Sequence, residues 1–259
     1  MAGRFWADYK SADFAAIDSD RTVAVLPTAA VEQHGPHLPV GVDTMINEGL
    51  LSALVPQIPD DLDVRILPIQ AVGKSNEHLY ATGTLTIPAE LAISLWVEIG
   101  LSVARAGIRK MVIINSHGGN LDVISIVARE LRVRADMFVV KTQWSAFGHP
   151  DGLYTADELK YGIHGGDVET SLMLHFRPDL VDMAKAENFH STAQDLRQGE
   201  VIMPTGPISY GWIARDLSDA GTVGDAHIAT PEKGALTAAH QTARMVELLK
   251  ETAEREWHP

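Results

Sequence analysis

The chain has 259 residues, 46% of them hydrophobic, no cysteine and a formal net charge of −13, with a mean hydropathy of zero. That length and apolar content suffice for one substantial core, and a single domain over residues 1–259 is the expected arrangement. The charge opposes binding to nucleic acid or anionic lipid, and the lack of cysteine removes disulfides, thiolate nucleophiles and Cys-ligated zinc. No apolar run approaches the roughly 20 residues of a membrane helix, and Met1 to Lys10 lacks the layout of a signal peptide. A soluble cytoplasmic protein acting on small molecules is expected.

In chain order, Thr22 to Leu26 is a short apolar, β-branched run with strand character, and Thr44 to Val55 has the apolar spacing of a helix. Val64 to Pro68 reads as a second strand and Pro88 to Ala106 as a helix, with proline at its start and Gly107 at its stop. Lys110 to Asn115 reads as a strand, Leu121 to Ala135 as an amphipathic helix, Met137 to Thr142 as a strand and Val168 to Phe176 as a helix. The last helix opens with Thr230 as N-cap and Pro231 at the first helical position, and runs to about Arg255. Such alternation predicts an α/β fold with helices covering a parallel sheet. Between Glu187 and Ala229 the periodicity fails. Gly199, Pro204, Gly206, Pro207, Gly211, Gly221 and Gly224 punctuate a stretch too long for an ordinary connection. Met203, Ile208, Tyr210, Trp212 and Ile213 within it are too apolar to be left in water. Residues 187–229 are therefore expected to form a functional loop or assembly arm, buried against the domain or a neighbouring subunit.

Polar clusters fall just past the strands. Glu32, His34, His37 and Asp43 follow the first, Ser75, Glu77 and His78 the second, Ser116 to Asn120 with His117 the third, and Gln143 and Trp144 the fourth. A fifth segment, His164 to Ser171, leads into a helix whose free N–H groups favour negative charge. Ligands of open parallel sheets bind beyond the carboxyl ends of the strands, so these segments are expected to share one edge. Carboxylates and imidazoles without cysteine suit zinc, manganese or ferrous iron, and one carboxylate can bridge two ions about 3.5–4 Å apart. No Gly-x-Ser-x-Gly elbow supports a Ser-His-Asp alternative, which favours water as the nucleophile.

The motifs resemble those of the creatininase (creatinine amidohydrolase) family. The matching pieces are Glu32-Gln-His34-Gly with Asp43, Gly-x-Ser75 with Glu77-His78 and Gly83-Thr84-Leu85, and Asn115-Ser-His117-Gly-Gly-Asn120. His164-Gly-Gly-x-x-Glu169-Thr-Ser, and Gly221-x-Val223-Gly224-Asp225 with Ala229-Thr230-Pro-Glu-Lys-Gly234, complete them in family order. The resemblance implies a three-layer αβα sandwich with a mostly parallel central sheet and two divalent metal ions per subunit, zinc, manganese or iron. The implied reaction is hydrolysis of a non-peptide C–N amide bond, in a cyclic amide or formamide, by a metal-bridging hydroxide.

Carried over by position, Glu32, Asp43 and His117 hold one ion, His34 and the bridging Asp43 hold the other, and His164 is the catalytic histidine. The family's glutamate two residues beyond the third-motif histidine is replaced by Gly119, and Asp167 is expected to supply the missing carboxylate. Glu169, His37, Ser75, Glu77 and His78 are expected behind the ligands or in the substrate pocket. Trp144 matches the first of two pocket tryptophans, whereas Lys160 stands where the second would fall, so creatinine is not the expected substrate. Lys160 and Tyr161 point instead to an anionic amide. A formamide hydrolase of pterin or flavin precursor metabolism is a narrower reading, and a catalytically silent metal- or ligand-binding member of the fold is the alternative. Family assemblies imply a homo-oligomer, with a hexamer the expected form.

Overall fold

Four parallel strands build the central sheet in the order β2-β1-β3-β4, with β1 at Val23–Thr28, β2 at Val64–Ile66, β3 at Lys110–Asn115 and β4 at Phe138–Gln143. The computed structural model describes residues 3–196 and 200–257, so Met1 and Gly199 lie outside the described residues. Alternation along the strands sends side chains to two separate cores. Val23, Val25, Val112 and Ile114 face α1 (Val42–Leu54), α5 (Asp167–Phe176) and α7 (Pro231–Glu254), where Leu50, Leu172, Met245 and Leu249 join them. Ala24, Leu26, Met111 and Ile113 face α2 (Ala89–Arg105) and α3 (Leu121–Ala135), with Trp96, Val97, Ile124 and Leu131. Strands β1 and β3 are buried along their whole length because both faces are covered, as parallel sheets require. The parallel sheet covered by helices that the alternation predicts, and the three-layer αβα sandwich that the resemblance implies, are thus the observed architecture.

Element boundaries follow local chemistry. The Thr230 side chain accepts the Lys233 amide at the start of α7, with Pro231 in the first turn. Helix α1 starts at Val42, two residues earlier than its apolar spacing indicates, which puts Asp43 in its first turn. Helix α4 (Ala156–Tyr161), capped by Thr155, is too short to show a period and escaped the sequence reading. No helix among the described residues is long and apolar enough to cross a membrane.

The 187–229 stretch holds β5 (Asn188–Phe189) paired antiparallel to β6 (Gly224–Asp225), and the single turn α6 (Ala214–Leu217). Ala193, Ala214 and Leu217 are buried, and the Trp212 indole donates to the Pro204 carbonyl at 2.7 Å. Ile208, Tyr210 and Ile213, expected to be buried, are exposed in this protomer, together with Val201 and Ile202.

Candidate metal centre

The first three strand-following segments and the start of α5 converge at the carboxyl edge of the sheet. A polar network sews the loops together. Asn120 donates to the Ala29 carbonyl at 3.0 Å and accepts the Lys74 amide at 3.0 Å, while Asn115 donates to the His117 carbonyl at 2.5 Å. Ser116 donates to the Asp43 carbonyl at 2.9 Å, tying the third motif to α1. These bonds tie the loops to one another, to the strand ends and to α1, so the ligand-bearing side chains leave a rigid base.

Asp43 lies at the centre. Its Oδ1 is 3.5 Å from His34 Nε2 and its Oδ2 is 3.4 Å from His117 Nδ1, so each carboxylate oxygen faces one imidazole. Glu32 Oε1 is 3.2 Å from His117 Nδ1, and Glu169 Oε2 is 3.7 Å from His34 Nε2. Two donors bound about 2.0–2.1 Å from one tetrahedral ion are about 3.3–3.4 Å apart, a spacing longer than a good hydrogen bond and close to those found here. His34 Nε2 and Asp43 Oδ2 are buried with no hydrogen-bond partner, as atoms kept for bound ions would be. The imidazoles are also set in the correct tautomer. His34 Nδ1–H donates to the Glu32 carbonyl at 3.0 Å and His117 Nε2–H to the Lys74 carbonyl at 2.9 Å, since a carbonyl can only accept. Each imidazole thereby turns its other nitrogen to the centre.

Asp167 does not join them. Its buried carboxylate accepts Lys233 Nζ at 2.6 Å and Ser171 Oγ at 3.0 Å, on the side of α5 that packs against α7. A Cβ on Gly234 would fall 2.0 Å from the Ser171 carbonyl, so the two helices approach too closely there for any side chain. The expected role of Asp167 is corrected on this ground: its charge is already matched, and Glu169, two residues on, presents the carboxylate. Gly119 also has a reason to lack a side chain. A Cβ there would lie 2.2 Å from Glu77 Oε1 and 2.4 Å from His117 Nε2. Asp167→Asn is therefore expected to leave metal content unchanged while costing about 2–3 kcal/mol, below the usual value for breaking a buried pair because Lys233 is partly exposed. Denaturant unfolding alongside elemental analysis checks this, and loss of an ion from the variant would return Asp167 to the ligands.

The remaining sites divide. Ser75 donates to Glu32 Oε2 at 2.5 Å, and Glu77, held by Lys74 at 2.7 Å, lies 3.6 Å from His117 Nε2. His78 Nε2 is 3.5 Å from Glu32 Oε1, with its Nδ1 accepting from Gln33 at 2.9 Å. His164 Nε2–H donates to the Gln33 carbonyl at 2.7 Å, leaving Nδ1 3.6 Å from Glu32 Oε1, and its ring lies between those of His34 and His78. His37 stands apart, bonded to Thr170 at 2.9 Å and stacked on Phe189, so it braces the start of α5. Trp144 is no pocket residue: it is buried in the core, donating to Asn47 Oδ1 at 3.1 Å. Lys160 is exposed over Tyr161 and lines a separate hollow of about 120 Å³ to which none of the clustered acids or imidazoles contributes. Gln33, not among the expected site residues, joins the site, and its place between Glu32 and His34 is the signal that points to it.

Burial works against every charge in this centre. Despite it, Asp43, Glu169 and Glu32 raise His34 to about 9, and Glu32, Asp43 and Glu77 raise His117 to about 10. Burial pushes Glu169 up to about 7 and raises Asp43, whereas His117, His164 and His34 overcome it and hold Glu32 well below the usual carboxylate range. Burial and the neighbouring His34 drive His164 well below the ordinary imidazole value. Without ions, then, His34 and His117 hold protons across neutral pH while Glu32 stays charged. Stability from the raised imidazoles is full below pH 6.5 and lost as pH rises through about 9–10, and that from Glu169 is lost through about 7. His37, His78 and His164 are lowered and offset nothing above pH 6.5. Metal-free protein is expected to lose thermal stability from pH 7 to 9, and Zn²⁺-loaded protein to keep it, because ions replace those protons. A chelated sample whose Tm rises over that interval would refute the assignment.

Residues 7–249 match the Creatininase family, described as creatinine amidohydrolase. The chain belongs to the creatininase family. It is 32% identical over 216 residues to the mycofactocin precursor peptide peptidase of Mycolicibacterium smegmatis, covering 82% of this chain and 78% of the relative. It is 30% identical over 194 residues to the creatinine amidohydrolase of Pseudomonas putida, covering 69% and 72%. Among solved structures, a creatininase described as "Creatininase Mn" superposes with a TM-score of 0.78 at 24% identity, covering 98% of this chain and all of the other. A creatininase variant of "Zn-Zn type" gives 0.76 at 23% identity, covering 98% and 100%. Members of this creatininase family are amidohydrolases and peptidases, and this chain is a hydrolase of the family.

Proposed function

We propose that the chain is a hydrolase of C–N amide bonds that works with two divalent ions, zinc, manganese or iron. The observation that carries this is Asp43, whose two oxygens each face a different imidazole across a gap of ionic size. Glu32, His117 and Asp43 would hold one ion, and His34, Asp43 and Glu169 the other. When bound, such ions polarise the amide carbonyl and lower the pKa of water toward neutrality. The chain's own part is orientation and proton transfer. His164, with Nε2–H committed to the Gln33 carbonyl, keeps Nδ1 free to take a proton from attacking water and deliver it to the departing nitrogen. Gln33 and His78 hold His164 and Glu32 in register.

The catalytically silent alternative rests on the acid missing at position 119, and the Glu169 carboxylate beside His34 speaks against it. The relatives act, by name, on creatinine and on a peptide precursor, so linear amides, peptides included, belong beside the cyclic amides and formamides first expected. Apo protein reloaded with Zn²⁺, Mn²⁺ or Fe²⁺ and assayed on creatinine, a lactam, a formamide and short peptides tests the reading. Hydrolysis of one class that a chelator abolishes is the expected result, and no turnover with any metal would defeat it. The exposed Val201, Ile202, Ile208, Tyr210 and Ile213 further support a closed homo-oligomer, a hexamer being the expected form, in which a second subunit covers them.

A further inference from the structure

We infer that Arg215, stacked over Tyr80 on the Gln33 side of the metal centre, binds a free carboxylate of the substrate and so selects amides that carry one near the scissile bond. The inference rests on the amide-hydrolase reading and names its substrate class: N-acyl amino acids and the carboxyl ends of short peptides. Arg215 is exposed on α6, its guanidinium carbon 4.2 Å from the centre of the Tyr80 ring, and among the described residues no carboxylate pairs with it. Arg65, Arg132, Arg134, Arg177 and Arg244 pair with acids, and Arg4, Arg105 and Arg109 bond carbonyls or a hydroxyl, whereas Arg215, among the described residues, has only the Tyr80 ring. Stacking on an aromatic face fixes the plane of the guanidinium and leaves its fork of donors free, the arrangement that accepts a carboxylate in bidentate fashion.

A second, independent observation lies beneath it. The Tyr80 hydroxyl is buried and has no hydrogen-bond partner. It sits against Gly221, where a Cβ would fall 2.1 Å from it and 2.8 Å from Gln33 Nε2. A phenol buried beside the active site without a partner is a donor waiting for an acceptor, and a ligand oxygen supplies one. The same Gln33 amide donates to the Gly221 carbonyl and to His78 Nδ1, and its backbone carbonyl holds His164. Tyr80 thus stands one side chain, and Arg215 two, away from the groups that handle the reacting amide. In a protein with a net charge of −13 an anionic substrate is repelled at long range, so a local cation beside the centre determines whether it can dock. The cation expected at Lys160 is replaced in this role by Arg215.

Metal-loaded wild type, Arg215→Gln and Tyr80→Phe are compared on matched pairs, a free acid and its carboxamide, for an N-acetyl amino acid and for a short peptide. Wild type is expected to prefer the acids by about 10–100-fold in kcat/KM, chiefly through KM, the usual worth of hydrogen bonds to a charged group. Arg215→Gln should erase the preference while metal content and Tm stay unchanged, and Tyr80→Phe should lose a smaller part. A preference confined to one length distinguishes the peptide from the single amino acid. Calorimetric binding of the same acids and carboxamides gives the ratio even for an enzyme that turns over neither, so failure of the hydrolase reading is separable from failure of this one. Equal affinity of wild type for acid and carboxamide, or an acid preference that survives in Arg215→Gln because the ions alone produce it, overturns the inference.

Discussion

Glu169→Gln is expected to purify with one tightly held divalent ion per chain instead of two and to lose most of its activity. Glutamine can still accept the Gly165 amide that Glu169 Oε2 accepts at 2.6 Å, so the start of α5 stays in place and only the anionic ligand goes. Removing partners that merely orient a ligand commonly weakens metal binding 10–100-fold, so loss of a ligand itself should cost more than about 100-fold at the second ion. The first ion, among Glu32, Asp43 and His117, should bind as before. Titration of the apo variant with Zn²⁺, followed by calorimetry and elemental analysis, gives the stoichiometry. Two full-affinity sites in Glu169→Gln would remove Glu169 from the centre, and the contrast with Asp167→Asn makes the assignment specific to one face of the helix.

His164→Asn separates proton transfer from metal binding. In the proposed assignment neither ion takes a ligand from His164, so the variant is expected to keep two ions and its fold while kcat falls by about 10²–10⁴, the range of a general acid–base. Asparagine can still donate to the Gln33 carbonyl, which limits structural damage. The loss should depend on the leaving group. An anilide-like amide departs as a weak base and needs little protonation, so it should suffer less than an alkyl amide. Equal losses for both substrates, or loss of an ion from the variant, would show that His164 binds metal or is structural and that the proton comes from elsewhere.

Much of this protein follows from its sequence alone, and for local reasons. Strands buried on both faces must be continuously apolar, as Lys110 to Asn115 is apart from its ends, and helices that pack on one side must repeat, as Leu121 to Ala135 does; both were placed to the residue. That Glu32, His34 and His117 gather at one edge was also legible, because each lies within a few residues of the end of β1 or β3 and parallel strands put those ends together, while Asp43 reaches the same place from the first turn of the helix that follows.

The tertiary structure decided the rest, where the choice depended on how one element is turned against another. Asp167 and Glu169 are two positions apart in a helix, hence about 200° apart around its axis, so only one can face the centre. Which one is set by α7, through the Lys233 ion pair with Asp167 and the close approach at Gly234. Trp144, one residue past the end of β4, could have pointed to solvent or to the core, and the Asn47 side chain on α1 settles it inward. Arg215 could not be chosen over Lys160 from sequence, because it comes from the 187–229 stretch, where no periodicity reports direction. It reaches Tyr80 through a contact spanning more than half the chain, and only the folded chain brings the two together.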